Sequence, residues 1–549
     1  MTSSPEVLVQ KTGMAALPTF APVVVALLVA ASVRLAAALL LSGAIDSEGA
    51  EYARIAQNLL AGAGYTGMAT PGQQLFFPPL FPYLIAGLSL VVGDAETAGR
   101  IVSLVAGSLL VLPVYAISLR LYGQKAAVIA GWLAALHPVL IYYSTTVYCE
   151  PLFLSLIATA IYLSTRAADN PTAGNASLSG MAYGLAYLVR PEALTFAVIA
   201  VGVIVLARRL DGRNVPWRRL SLLPLVALIV TAPYITWLSF QTGGLRLEIK
   251  SALNLATAAR IQQGMPSDQA TLGIAHDLAT EGTYIQPNIS AIRDFSLSSD
   301  AFAQLLIRQS EEMINGATSI LAGGPATGSP MLFALAVLGL FARAWRRSTV
   351  PHHLHLICIG ALSIAGTLFI YYQNIRFYLL PLVFMCIWAS FGSLVVGNWA
   401  SGTARAILDR AAVAASAASV ARALVLLGVI LPSSVWAIRA FSSDVASRAI
   451  QHAGEQLAEQ TSIEIADTST VLAFHARAPF VWLPYSDGET ALRFLRKEGV
   501  THVVVDEAFT ETRPYLRDWV EHGVPGGVAV ASFDPEPGRT VGIFKLLPE

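Results

Sequence analysis

Asp46, Glu48 and Glu51 fall within six residues of one another, in a stretch that opens Asp46-Ser-Glu48-Gly-Ala-Glu51-Tyr52-Ala-Arg54 and follows directly on an apolar run at 17–41. Carboxylates at the edge of an apolar run are costly to place there, and at a water interface a carboxylate can take a proton from an attacking hydroxyl. Three more polar clusters interrupt apolar sequence: Tyr148-Cys149-Glu150-Pro151, Val189-Arg190-Pro191-Glu192, and Tyr372-Gln-Asn374-Ile-Arg376-Phe-Tyr378. Two of them carry an arginine, which can grip a phosphate through paired, charge-assisted hydrogen bonds. Acid and arginine together suit transfer of a group from a lipid phosphate to a hydroxyl.

The rest of the chain must bring these clusters together. Of 549 residues, 55% are hydrophobic and 13% charged, against roughly 25% charged in soluble domains. The fold class is therefore an α-helical polytopic membrane protein. A formal net charge of zero leaves no overall basic field for nucleic acid. The run at 17–41 is too long for a signal-peptide core and is read as a retained anchor, with Lys11 and the N-terminus cytoplasmic. Basic residues marking cytoplasmic loops give about eleven spanning helices. In that scheme 78–93 is an interfacial or re-entrant helix, and the Arg190-Pro191-Glu192 tip reverses a helical hairpin. All four polar clusters then fall on the external face. The expected domains are a transmembrane unit at 1–440, with external loops at about 42–97 and 241–329, and a small external α/β domain at 441–549. In the latter, short β-rich runs are expected at 470–474, 502–506, 527–532 and 541–546, and a helix at 488–497.

Plainer readings stand beside these. Asp46, Glu48 and Glu51, like Glu150, suit the first turn of a helix, where the dipole favours acids. Arg190 and Glu192 could neutralise each other, and Arg376 could anchor an interface between Tyr372 and Tyr378. Arg34, inside the first run, would snorkel or pair with an acid such as Glu150. His352, His353 and His355 sit beside Arg346 and Arg347 and read as a solvated loop. Cys149, Cys358 and Cys386 have no metal-ligand spacing and read as packing residues.

In order along the chain, Asp46-Ser-Glu48, Glu51-Tyr52, Gly62-Ala-Gly64-Tyr65, Phe77-Pro78-Pro79-Leu80-Phe81-Pro82, Glu150-Pro151-Leu152, Arg190-Pro191-Glu192 and Arg376-Phe377-Tyr378-Leu-Leu-Pro381 resemble the membrane glycosyltransferases of the GT-C class. The group is glycosyltransferase family 39, the dolichyl-phosphate-mannose protein mannosyltransferase-like proteins that include the bacterial aminoarabinose transferases. The resemblance covers about 17–400. It implies a GT-C fold and an inverting transfer of a sugar from a polyprenyl phosphate to a hydroxyl on a lipid, glycan or protein. It also implies a general base in the first external loop, here Asp46 or Glu48; Glu150 is a further candidate catalytic residue. Glu51, Tyr52, Arg190, Glu192, Arg376 and Tyr378 are the expected substrate contacts. Relatives often carry a basic residue before the paired prolines, where this chain has Phe77, so the phosphate contact shifts to Arg376 and Arg190, with Arg246 and Arg260 behind them. No cofactor is required; a divalent metal is possible but not indicated, because Phe76 and Phe77 replace an acid that relatives use for zinc and leave His276 without a partner ligand. The expected setting is a bacterial inner membrane. The alternative is a secondary transporter or lipid flippase, which also places acids and arginines in a helical bundle; a receptor-like glycan-binding protein ranks behind both.

Overall fold

The computed structural model describes residues 21–68, 72–265, 270, 299–323, 330–370, 372–408, 410–460, 462–536 and 538–548; His276 lies outside them. The first half is helical: α1 (Ala21–Leu40), α2 (Ser47–Leu60), α3 (Leu80–Val92), α4 (Ala95–Leu109), α5 (Val111–Tyr122), α6 (Gln124–Leu136), α7 (Pro138–Thr145), α8 (Glu150–Asp169), α9 (Ala173–Tyr187), α10 (Ala193–Leu210), α11 (Trp217–Leu220) and α12 (Leu222–Thr242). Then come α13 (Lys250–Gln262), α14 (Ser299–Ala317), α15 (Pro330–Phe341), α16 (Val350–Gly366), α17 (Leu379–Leu408), α18 (Ala411–Ala446) and α19 (Arg448–Leu457). Among the described residues, eight stretches are long and apolar enough to cross a membrane, nine if the pair α6 and α7 is counted as one span bent by 48°. The expected eleven also included α9 and α15, whose 15 and 12 residues fall below that length. Helix α3, the expected re-entrant piece, has 13 residues.

The break between α6 and α7 has a local cause and corrects one expectation. Pro138 has no N–H to donate to Ala134 O, which lies four residues back. Arg34, fully buried on α1, reaches across instead, donating to Ala134 O at 3.0 Å and Ala135 O at 2.8 Å. It therefore neither snorkels nor pairs with Glu150. Elsewhere helices approach closely through small residues: a Cβ on Gly339 of α15 would lie 1.9 Å from Trp388 O of α17, and one on Gly392 would lie 2.0 Å from Leu335 O. Such contacts let backbones pack where lipid offers no hydrophobic drive between helices.

The three histidines are also corrected. His352, His353 and His355 are buried in the first turns of α16, not in a solvated loop. His355 Nε2 is 3.2 Å from the Tyr183 hydroxyl, and His353 stacks on Trp345 with ring centroids 5.1 Å apart. The apolar stretch beginning at Val350 admits His353 and His355 because Tyr122 and Trp345 pack on the first and the Tyr183 hydroxyl meets the second. The three cysteines are free.

After α19 the chain forms a five-stranded sheet, β1 (Ile465–Asp467), β2 (Phe480–Trp482), β3 (His502–Asp506), β4 (Gly527–Glu536) and β5 (Arg539–Leu546), in the order β2-β1-β3-β5-β4. Pairings of β1 with β2 and β3 are parallel, and those of β5 with β3 and β4 are antiparallel. The strand expected at 470–474 is instead a short helix, α20 (Val471–His475); a short apolar run does not distinguish the two by period alone. The remaining helices are α21 (Gly488–Lys497), as expected, and α22 (Tyr515–His522). Helix α18 runs unbroken through 440 and 441, so the membrane part and the sheet domain are joined by helix.

Candidate active site

The site is built at the start of α2. Asp46 is its N-cap: Oδ1 accepts from Gly49 N at 2.7 Å, and Oδ2 accepts from the Tyr148 hydroxyl at 2.6 Å. Gly49 is required by that geometry, since a Cβ there would meet Asp46 Oδ1 and Ile45 Cγ1 at 2.8 Å. Burial raises the Asp46 carboxyl to about 6, aided by the neighbouring Glu48 charge and opposed by the Tyr148 and Gly49 hydrogen bonds. That leaves a base matched to near-neutral chemistry.

Glu48, in the first turn of the same helix, behaves oppositely. Its Oε2 is ion-paired with Arg376 Nη1, and its Oε1 lies 3.3 Å from the Tyr52 hydroxyl. Burial pushes its carboxyl up, but Arg376, with Lys250 and Arg190, outweighs burial and holds it down at about 2. Two carboxylates two residues apart are thus split: one stays ionised and one sits near neutrality.

Arg376 comes from a 3₁₀ turn, Ile375–Tyr378, capped by Asn374, whose Oδ1 accepts from Arg376 N at 3.1 Å. Its guanidinium also donates to the Tyr372 hydroxyl and lies 5.2 Å from the centroid of the Phe377 ring. Its Nε is enclosed with no hydrogen-bond partner among the described residues. Beside it, Arg190 at the α9–α10 reversal donates to Glu150 Oε1 at 3.2 Å and Glu192 Oε1 at 2.7 Å, and stacks over Phe153 at 5.5 Å. Glu150, buried at the start of α8, and Glu48 therefore separate two arginines.

Four sequence-derived clusters converge, but two residues fall outside the centre. Glu51 turns to the loop after α2, accepting from Met68 N at 3.0 Å and Gln74 Nε2 at 2.8 Å, with Gly67 so close that a Cβ would stand 1.7 Å from its Oε1. Tyr378 is buried and donates to Gln373 Oε1 at 2.6 Å. Tyr52 is buried against Phe77 and Phe81, its hydroxyl between Glu48 and Cys149 Sγ.

Sequence reasoning missed Tyr148, Asn374 and Lys250. Tyr148 lies in a quoted motif, two residues before Glu150, yet nothing local ties it to Asp46. Lys250, at the start of α13, holds its Nζ 5.6 Å from the centroid of the Phe77 ring and lowers Glu48; it has no carboxylate partner among the described residues. Neither Arg246 nor Arg260, the two loop arginines considered, makes an ion pair there: the Arg260 guanidinium donates to Ala270 O. No group of three or more His, Cys, Asp or Glu side chains among the described residues is placed to hold a metal ion.

The sheet domain leans on the same end. Ser469 Oγ is 3.0 Å from Ser47 Oγ, Thr470 Oγ1 donates to Ser47 O at 3.2 Å, and Arg54 donates to Ala473 O at 3.1 Å while lying over Phe474.

Comparison with known proteins gives a consistent relation. Residues 77–237 match the family described as dolichyl-phosphate-mannose-protein mannosyltransferase. The fold is similar to the archaeal oligosaccharyltransferase AglB from Archaeoglobus fulgidus, solved with an inhibitory peptide and a dolichol-phosphate, at a TM-score of 0.56 and 16% identity, covering 95% of this chain and 74% of that one. It is also similar to ArnT from Cupriavidus metallidurans bound to undecaprenyl phosphate, at a TM-score of 0.55 and 14% identity, covering 96% of this chain and 98% of that one. No curated protein sequence matches the chain. The chain is thus an integral membrane protein with the GT-C fold, and over residues 77–237 it resembles the mannosyltransferase family.

Proposed function

We propose that this protein is an inverting glycosyltransferase that moves a sugar from a polyprenyl phosphate to a hydroxyl acceptor on the outer face of the membrane. The observation that carries this reading is a carboxylate held near 6, Asp46, close to an arginine, Arg376, that is itself ion-paired with Glu48, at one end of the bundle. The lipid phosphates held by AglB and ArnT support the donor class. The acceptor O–H gives its proton to Asp46 as its oxygen attacks the anomeric carbon from the side opposite the leaving group. The anomeric C–O bond to phosphate breaks, and the electron pair leaves on the lipid phosphate. Arg376, through Nε and an exchange of its Glu48 or Tyr372 contact, stabilises that charge. Lys250 stands over Phe77 as a second cation for the same phosphate, from a different element than the sequence suggested. Glu48 and Glu150 hold the two arginines apart and pointed inward. Placement on the outer face is supported by the arginine-rich loops at the opposite helix ends, under the positive-inside bias.

The test is sugar transfer by the purified protein from a panel of polyprenyl-phosphate sugars, read by mass. Wild-type transfer or donor hydrolysis that Asp46→Asn removes, with folding retained, supports the reading. No turnover from any donor, together with substrate flux in proteoliposomes, would replace it with the transporter.

A further inference from the structure

The end of the bundle remote from the acids carries a second concentration of charge. Helix α8 begins at Glu150 and ends at Asp169, so its 20 residues set the two ends roughly 30 Å apart. At the far end Asp169 is ion-paired with Arg120. Beside that pair lies a cavity of about 240 Å³ whose lining includes Arg120, Tyr122, Arg343, Trp345, Arg346 and His353, and no carboxylate.

Several nitrogens there lack a protein partner. Arg120 Nε and His353 Nδ1 are enclosed with no hydrogen-bond partner among the described residues. The side chains of Arg343 and Arg346 make no hydrogen bond or ion pair with another described residue; only the Arg346 backbone is used, in the turn with Thr349. Arginines that merely fix topology need no cavity and no enclosed nitrogens.

One margin of this cationic cavity is apolar. Trp345 stacks on His353 and on Phe341, the latter 67% exposed at the end of α15. Helix α15 has 12 residues, about 18 Å against a hydrocarbon core of ~30 Å. Arg343 and Arg346 follow within five residues of its end, where cations can meet the phosphates of lipid headgroups. A ligand with one phosphate and an attached apolar tail matches both parts of the lining.

We propose that this cavity binds the phosphate of an anionic membrane phospholipid, at a site distinct from the acid-bearing end. The test uses the full-length protein in neutral detergent, as wild type and as the double variant R343Q/R346Q, checked for folding by size exclusion. Dioleoylphosphatidylglycerol, dioleoylphosphatidylcholine and inorganic phosphate are each titrated, with native mass spectrometry and thermal unfolding as readouts. The expected result is one retained phosphatidylglycerol on the wild type, a Tm higher by about 2–4 °C, and affinity roughly tenfold weaker in the double variant. The double variant alters no residue of the acid-bearing site, so its transfer activity without added lipid stays at the wild-type level. Equal stabilisation by phosphatidylcholine, or unchanged phosphatidylglycerol binding by the variant, overturns the proposal. Equal stabilisation by inorganic phosphate overturns the lipid assignment and leaves a free-anion site.

Discussion

Asp46 and Glu48 differ by one methylene and two positions, yet their surroundings give them opposite work. Asp46 must be ionised to accept a proton, and its carboxyl is raised to about 6, so transfer should rise as pH increases through about 6. Removing the Tyr148 hydroxyl takes away a hydrogen bond that lowers that value; Tyr148→Phe should therefore move the acid limb of kcat/KM to higher pH. An unmoved limb would exclude Asp46 as the titrating base. Asp46→Asn should cost on the order of 10²- to 10⁴-fold in kcat. Glu48 lies on the other side of its ordinary value, 4.5, at about 2. Its ionised form therefore contributes stability above pH ~4.5 that is lost as pH falls towards 2. Glu48→Gln abolishes that window and leaves Arg376 without its carboxylate; breaking such a partly buried pair costs up to ~3 kcal/mol. Chemical unfolding of wild type and variant at pH 7 and pH 4 should show the difference shrinking at the lower pH. Lys250→Ala should lower kcat as well as raise KM for the donor, because Lys250 is proposed to stand by the phosphate on which charge develops as it leaves.

At the scale of elements, the site depends on how helices start and stop. Helix α2 begins where it does because Asp46 caps it, and Gly49 keeps the cap open. Gly49→Ala should lower activity at least tenfold while far-UV helicity changes little, since its Cβ presses on the Asp46 carboxyl and on Val147 O. Where α6 stops at His137, Arg34 donates to Ala134 O, which Pro138 leaves unbonded, and to Ala135 O beside it at the break. Arg34→Leu strands those carbonyls in the bundle, at about 1–3 kcal/mol for each buried unsatisfied group, and should lower Tm measurably; an unchanged Tm would mean that water or a neighbour replaces the guanidinium. The elements themselves were legible in the sequence where a long apolar run or a strong cap marked them, as at α21, whose ends agree with expectation. They were not legible at 470–474, where a short apolar run, whose period does not separate strand from helix, forms α20 and docks on α2 through Arg54 and Ser47.

Across the whole molecule, two charged ends are separated by apolar helices. One gathers acids, two arginines and Lys250 beneath the sheet domain, and the other sets Arg120, Arg343 and Arg346 around a cavity whose lining includes no carboxylate, beside the Arg120–Asp169 ion pair. Docking of α20 beside Ser47 means that the sheet domain bears on the element carrying Asp46 and Glu48. Arg54→Ala removes its hydrogen bond to Ala473 O and its stacking on Phe474. This should increase protease susceptibility between the membrane part and the sheet domain before it affects global unfolding; unchanged cleavage would show that other contacts suffice.

The sequence by itself determined the membrane class, the order of the helices, the four polar clusters and the reversal at Arg190-Pro191-Glu192. These follow from local composition and from proline's missing donor, which act within a few residues. Only the tertiary structure decided that Arg376 pairs with Glu48, that Tyr148 binds Asp46, that Lys250 covers Phe77, and that Glu51 serves the loop at 65–74. Each of these joins side chains whose distance depends on where whole helices lie, and the split between a carboxyl near 6 and one near 2 exists only after those helices have brought a guanidinium to one and burial to both.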